Sequence, residues 1–311
     1  MKKTKAIVLF SGGLDSRLVV KLLQEQNLEV ELIYFKLPFG CGCCNNSECN
    51  FNFSQKNLSK LTIFDCTKSK LFKEYLNVIK NPEFGRGTGM NPCIDCKIFM
   101  FKKAKEYADK NKIKIIATGE VLGERPMSQT AGSLNRIDKK LGFEILRPLS
   151  AKLLKETQVE KDNLVDRAKF LNIQGRQRKK QFELAKKFNI NFPTPGGGCL
   201  LCEKVYTGRL IDFFKTEKNI TPEKLSTLSN FRHFRSKSGA KILLGRNHEE
   251  NLLLESLNKH LKWNITSAKS DSPGPTALYQ DKHDKILVDS LIKAYSSKDL
   301  ALRNKFDEIR I

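Results

Sequence analysis

Tryptophan occurs once and histidine four times in 311 residues. No apolar run approaches the ~20 residues that would cross a bilayer. His233, His248, His260 and His283 all lie in the last third of the chain. A His-centred acid–base pair or a His-rich metal site is therefore not expected in the earlier part. Lys2, Lys3 and Lys5 open the chain as they would a signal peptide, but the apolar stretch from Ala6 to Phe10 is too short for an h-region. Secretion and membrane insertion are not expected, and a cytoplasmic location is. Acidic residues are scarce: 34 Asp and Glu face 56 Lys and Arg, a net charge of +22. Such an excess suits a polyanionic partner, most simply nucleic acid, or else a Lys-rich surface without one. An apolar share of 40% and a charged share of 29% argue for a folded chain, long enough for about two domains.

Residues 5–10 read as a buried strand ending at a Gly pair. Leu14, Leu18, Val19, Leu22 and Leu23 then recur at helical spacing. Further strands are expected at 28–36, 61–65, 113–117 and, from Phe143 to Leu146, a fifth. Helices are expected over about 68–80, ended by Asn81-Pro82, and over about 93–110. This alternation predicts an α/β fold, a mostly parallel sheet sandwiched by helices. Helical segments are expected to dominate from Ala151 to Phe188. The stretch from Thr216 to Pro222 is the expected boundary, giving domains 1–222 and 223–311. The second reads as a smaller α+β unit, with a strand at Lys241 to Leu244 and a helix from Glu249 to His260.

Ser11-Gly12-Gly13-Leu14-Asp15-Ser16 sits between the first strand and the first helix. Two glycines remove Cβ atoms where the backbone must bend toward a ligand. The helix N-terminus offers free N–H groups and the positive end of its dipole, an anion site. Ser11 and Ser16 add hydroxyls, and Asp15 makes sense as a helix cap or as a holder of Mg²⁺. The Lys of a Walker A loop is absent.

This hexapeptide resembles the SGGxDS signature of the PP-loop ATP pyrophosphatases, whose architecture is of the HUP type. The resemblance implies that Ser11, Gly12, Gly13, Leu14, Asp15 and Ser16 cradle ATP phosphates and Mg²⁺. It also implies cleavage between the α- and β-phosphates with transfer of AMP to a carbonyl-type oxygen. Asn91-Pro92-Cys93-Ile94-Asp95-Cys96-Lys97 resembles a segment of the tRNA 2-thiouridylases. Thr118-Gly119-Glu120-Val121-Leu122-Gly123, followed by Ser128-Gln129-Thr130, resembles one of the tRNA 4-thiouridine synthases and adds Gly119 and Gln129 to the cofactor set. Both branches replace a uridine oxygen with sulfur. The resemblance thus implies an ATP-dependent tRNA sulfurtransferase fed by a sulfur donor such as a cysteine desulfurase or sulfur carrier. Two other readings stay open: a PP-loop ligase or amidotransferase acting on a small metabolite, and a non-catalytic RNA-binding protein.

Nine cysteines, an odd number without an export signal, argue against a disulfide scaffold. The thiouridylase likeness makes Cys93 and Cys199 the catalytic pair, one carrying a persulfide and the other reducing it. Cys93 with Cys96, and Cys199 with Cys202, form two CxxC pairs that could instead converge on Zn²⁺ or on a 4Fe–4S cluster. Cys41, Cys43, Cys44 and Cys49 form another group, suited to a local zinc knuckle, a sulfur relay or neither. Cys66 reads as core. Glu120 and Asp95 are the carboxylates nearest these motifs, as acid–base groups or as surface charges.

Gly245-Arg246-Asn247-His248-Glu249-Glu250-Asn251 resembles the GRNxxxN segment of the NFACT RNA-binding domain, with Ser272-Pro273-Gly274-Pro275 at its later turn. Phe231-Arg232-His233-Phe234-Arg235 interleaves basic and aromatic residues, as RNA contacts require. Arg232, Arg235, Arg246 and Asn247 are the expected RNA-binding residues, with at least one of the two Phe in the core. The run Gly175-Arg176-Gln177-Arg178-Lys179-Lys180 adds a basic stretch.

Overall fold

A computed structural model describes residues 3–40, 47–193, 198–268, 273–297 and 299–311, leaving aside the side chains of 47–49. Cys41, Cys43, Cys44, the Cys49 side chain, Pro195, Gly196, Gly197 and Ser272 lie outside the described residues. The chain divides into two units, Met1–Cys202 and Glu203–Ile311.

Four apolar runs build the sheet of the first unit: β1 (Lys5–Leu9), β2 (Glu29–Lys36), β3 (Leu61–Asp65) and β4 (Ile115–Thr118). All pairings are parallel, in the order β3-β2-β1-β4. Strands buried on both faces need continuous apolar runs, which is why AIVL and IIA are legible. The helices are α1 (Leu14–Gln24), α2 (Ser47–Lys56), α3 (Ser69–Lys80), α4 (Cys93–Lys110), α5 (Ala131–Leu141), the single turn α6 (Gln158–Lys161) and α7 (Lys179–Lys187). The main core joins β1, β2 and β4 to α1 through Val8, Leu18, Val19, Leu32 and Ala117.

Two expectations for this unit need correction. The fifth strand shrinks to one parallel bridge, Ala117 to Leu146. The stretch 151–188 is mostly not helical. Leu171 N and Ile173 N donate to Pro148 O and Leu149 O, both at 2.9 Å, and Lys152 N donates to Leu171 O at 3.1 Å. These cross-links satisfy the backbone without a helix, leaving only α6, α7 and two short 3₁₀ turns.

The second unit holds α8 (Lys204–Thr216), α9 (Pro222–Ser226), β5 (Arg232–Arg235), β6 (Lys241–Leu244), α10 (His248–Leu261), β7 (Asn264–Ser267), β8 (Thr276–Tyr279), α11 (Lys285–Ser296) and α12 (Leu300–Asn304). Its antiparallel sheet runs β5-β6-β8-β7. The division falls twenty residues before the expected boundary at 222, because α8 is tied to the turn before β5 and to β5 itself. Arg209 donates to Leu228 O at 2.9 Å, and Asp212 receives Arg235 at 2.8 and 2.6 Å. The expected α/β unit followed by a smaller α+β unit is what the chain forms.

Candidate active site

The sheet order places a topological switch point between β1 and β4, where successive connections leave in opposite directions. Open parallel sheets bind ligands there, outside the carboxyl ends of the strands. Ser11 follows β1 and Gly119 follows β4, so both sequence motifs meet at this point.

A cavity of about 320 Å³ opens there. Ser11, Asp15, Ser16 and Gly119 line one end, and Ile33, Tyr34, Phe35, Leu37, Met100 and Phe101 form an apolar wall. Lys97, Glu120, Glu124, Arg125 and Gln129 supply the remaining polar lining. A polar cradle beside an apolar slot is the division of labour a nucleotide triphosphate requires.

Helix α1 begins on Gly13, which is extended and caps the helix with no side-chain hydrogen bond. Its first N–H groups are therefore open to an anion. Gly12 has φ +81°, and a Cβ there would lie 2.1 Å from Asn50 Oδ1. A Cβ on Gly119 would lie 2.7 Å from both Asp15 C and Ser16 N. Only glycine lets the β4 loop approach the start of α1 this closely. Ser16 Oγ donates to Gly13 O at 2.8 Å and stays beside the loop. Leu14, expected among the cofactor residues, turns its side chain into the core and offers only backbone.

Asp15 stands at the cavity edge. Burial pushes its carboxyl up to about 6, the Glu124 charge adds to the rise, and Arg178 opposes it. Arg178 Nη2 lies 3.4 Å from Asp15 Oδ2 and also holds Glu124. Asp15 Oδ1 is buried and makes no close hydrogen bond, although the Gln181 amide beside it favours the charged form, and an acceptor of this kind can take a cation. Arg178, expected to join a basic RNA face, is instead drawn into this site by two carboxylates.

Glu120 is 4% exposed. Lys97 Nζ pairs with its Oε1, Arg147 Nε donates to its Oε2 at 2.9 Å, and Arg147 grips Asp138 with two bonds of 2.8 Å. Burial raises the Glu120 carboxyl, but Lys97 and Arg147 outweigh it and hold the group below the usual range. Glu120 is thus a fixed anion that aims Lys97 into the cavity rather than an acid–base group. Asp95 accepts from Glu83 N at 2.8 Å and Phe84 N at 3.2 Å, stapling the preceding loop. Gln129 lines the cavity and accepts from Arg125 N at 3.1 Å.

Cys93 opens α4, with Asn91 Nδ2 3.3 Å from its Sγ. Lys97, one turn further along α4, lines the cavity. Cys199 donates to Phe39 O at 3.2 Å, next to Gly40 of the cavity wall. The 199–202 turn is tied down by Leu200 N to Phe39 O at 3.0 Å and Met90 N to Leu201 O at 2.8 Å. Cys93 and Cys199, 106 positions apart, are so brought near enough for their charges to act on one another. Burial pushes the Cys199 thiol up to about 12, with Cys96, Cys202 and Cys93 adding to the rise. Burial likewise takes Cys96 up to about 12, although Tyr75, whose hydroxyl is 3.1 Å from its Sγ, opposes this. Cys66 is fully buried, as expected.

Two thiols of the expected metal set are turned to other partners. Among the described residues, no three His, Cys, Asp or Glu side chains are arranged to hold a metal ion. Cys93, Cys96, Cys199 and Cys202 are gathered, but Cys199 turns to Phe39 and Cys96 to Tyr75. Zn²⁺ or a 4Fe–4S cluster would require those thiols to leave their partners.

The four residues expected to bind RNA are dispersed in role. Arg235 is bound to Asp212. Arg246 holds Glu250, and Asn247 caps α10 by accepting from Glu250 N at 2.9 Å. Asn251, which closes the same motif, donates to Gly274 O at 3.2 Å and accepts from Thr276 N at 2.9 Å. Arg232 donates to Gly245 O at 3.0 Å. Phe231 and Phe234 are both fully buried, so neither can stack on a base.

Residues 1–175 match the protein family described as thiamine biosynthesis protein (ThiI), more than half of the chain. The chain belongs to the ThiI family. A probable tRNA sulfurtransferase of Ureaplasma parvum serovar 3 is 29% identical over 173 residues, 54% of this chain and 40% of that protein. Another, of Halothermothrix orenii, is 27% identical over 147 residues, 47% of this chain and 35% of that protein. This ThiI-family chain therefore spans well under half the length of these curated relatives. Among solved structures, a 4-thiouridine synthetase–RNA complex with bound ATP is 20% identical with a TM-score of 0.38, covering 73% of this chain and 50% of that one. The U34-tRNA thiolase NcsA from Methanococcus maripaludis, with its [4Fe-4S] cluster, is 17% identical with a TM-score of 0.38, covering 73% and 71%.

Sequence reasoning misses Lys97, Arg147, Glu124 and Arg178 as site residues. Lys97 carries a signal, since it directly follows the CxxC pair. Arg147 carries none, because its role depends on carboxylates 27 and 9 positions away.

Proposed function

We propose that this chain is an ATP-dependent tRNA sulfurtransferase. It transfers AMP from ATP to a uridine carbonyl oxygen, releases diphosphate, and replaces that oxygen with sulfur. One observation carries the reading: the open N-terminus of α1 shares a cavity with Lys97, one turn from Cys93, and with Gly40, next to the Phe39 carbonyl that holds Cys199.

The cradle fits a triphosphate. Ser11, Ser16 and the first N–H groups of α1 would hold phosphate oxygens, and Asp15 Oδ1 would meet Mg²⁺. Lys97, steadied by Glu120, would balance charge building on the phosphates as diphosphate leaves. Cys93 and Cys199 would then bring sulfur to the activated carbon, one thiol carrying it and the other releasing it. The sulfur would come from a separate donor such as a cysteine desulfurase or carrier. The second unit would hold the RNA, in keeping with its NFACT-like motif, and the protein would work in the cytoplasm.

The direct test supplies ATP, tRNA, a persulfide donor such as a cysteine desulfurase with cysteine, and a thiol reductant to reopen the resulting disulfide, under anaerobic conditions. AMP, diphosphate and a thiolated nucleoside found by mass spectrometry are the expected products. ATP cleaved to ADP, or not at all, would refute the proposal. An iron–sulfur absorption band in the anaerobic protein would replace the persulfide pair by a cluster while keeping ATP activation.

Asp15 adds a pH test. Its folded pKa lies above the unfolded value, so the folded protein holds this proton more tightly. Its contribution to stability is fully present below about pH 4 and is lost as pH rises through about 6. Mg²⁺ binding needs the ionised form. Affinity for Mg·ATP, measured by calorimetry, is therefore expected to fall as pH drops through about 6, and Asp15→Asn to remove that step.

A further inference from the structure

Nine charged side chains of the second unit close on one another. Asp212 takes both Arg235 and Lys241, Glu250 takes Arg246, Glu217 takes Lys224 and Asp289 takes Lys285. Four arginines stand outside this pattern. Arg209, Arg232, Arg303 and Arg310 have no ion pair with a carboxylate among the described residues.

They are nevertheless grouped. The guanidinium carbons of Arg232 and Arg303 lie 4.8 and 5.3 Å from the centre of the Tyr295 ring. Phe234 packs edge-on to the same ring at 5.7 Å and fixes its plane. Arg310 is exposed and is bridged through its backbone to Phe234, beside Arg232 in β5. Arg209 reaches Phe231 O at 3.1 Å, next to Arg232, and its Nε is buried with no acceptor. The other contacts of Arg232 and Arg303 are carbonyls, of Gly245, Ala294 and Ser297. These orient the forks without cancelling charge.

The charges feel one another. Burial first, and then Arg246 and Arg310, hold Arg209 below its ordinary range, against Glu203 and Glu250. Burial holds Arg232 down as well, with Arg303, Arg310 and Arg246 adding to it and Tyr295 opposing it. Repulsion of this kind costs stability unless an anion offsets it. Planar guanidinium groups stacked on an aromatic ring keep their edge donors free for phosphate oxygens.

We propose that Arg232 and Arg303 on Tyr295, with Arg310 bridged to Phe234 and Arg209 held at Phe231 O, form a phosphate site for the backbone of the RNA. The site rests on the tRNA reading above and moves the RNA contact away from Arg235, which Asp212 neutralises. Its occupant is a phosphodiester chain rather than a lone ion, because four positive charges outnumber those that one phosphate balances.

The test uses the full chain and unmodified tRNA. R303Q and R310Q are each expected to weaken binding about tenfold, and to lower the slope of log affinity against log salt by about one. K285Q removes the same charge from an ion-paired lysine and is expected to leave affinity unchanged. R310Q is expected not to lower the unfolding midpoint, since it relieves repulsion. A structural arginine would lower it. If the wild-type chain binds tRNA and both Arg variants bind as tightly, or K285Q weakens binding equally, the site is refuted and the tRNA reading stands. A wild-type chain that binds no tRNA refutes that reading, and the site with it. Tighter, arginine-dependent binding to phosphatidylglycerol vesicles than to tRNA would assign the patch to a membrane surface and overturn the proposal.

Discussion

Cys199→Ser is expected to abolish thiouridine formation, a fall on the order of 10³-fold or more, with diphosphate still released from ATP when tRNA is present. A serine hydroxyl keeps the shape of the turn and can still reach Phe39 O, so the loss reports chemistry rather than folding. The thiol is partly buried, and that burial pushes its pKa up to about 12. Nucleoside mass spectrometry and single-turnover diphosphate release separate the two steps. Full thiolation by the variant would remove Cys199 from the reaction and leave Cys93 as the sulfur carrier.

The second large effect is on stability. Arg147→Met keeps length and apolar bulk but removes one of the two cations that hold Glu120 and the two-bond grip on Asp138. Breaking one side of a buried ion network costs about 3–5 kcal/mol, because a charge is left without its partner. For a unit of this size the unfolding midpoint is expected to fall by roughly 10 °C. Trp263, the only tryptophan, lies in the second unit, so far-UV circular dichroism is the better probe. Glu120→Gln combined with Arg147→Met is expected to recover part of the loss, since the orphaned charge is gone. A shift of less than about 2 °C for Arg147→Met would mean that Lys97 alone satisfies Glu120.

Legibility tracks the range of the interactions involved. Helix α4 is readable to within its ends, because Pro92 before it and apolar spacing within it are local signals. Strands β1 to β4 are readable as apolar runs for the same reason. The stretch 151–188 misleads because its backbone partners sit 20 or more positions away, as Leu171 to Pro148 and Ile173 to Leu149 illustrate. No local pattern announces such pairings. The boundary is misplaced because α8 looks like the end of a helical region until Asp212 is seen to hold Arg235 and Lys241.

The candidate site divides the same way. Ser11 to Ser16 can be read directly, since a strand, two glycines and a helix start are contiguous. Arg178 reads as solvent-facing because sequence shows its basic neighbours and not Asp15, 163 positions away. Phe231 and Phe234 read as base-stacking candidates because alternation with Arg does not reveal which side of β5 is covered.

What the chain order alone determined is the glycine loop between β1 and α1, the parallel sheet and the two CxxC pairs, all properties of neighbours along the backbone. What the tertiary structure decided is which charges are engaged and which remain: Glu120 as a held anion, Arg235 bound to Asp212, and Arg232 and Arg303 left without a carboxylate against Tyr295. The reason is electrostatic. A side chain's charge is written in the sequence, but whether it is cancelled depends on what folding brings within a few ångströms of it.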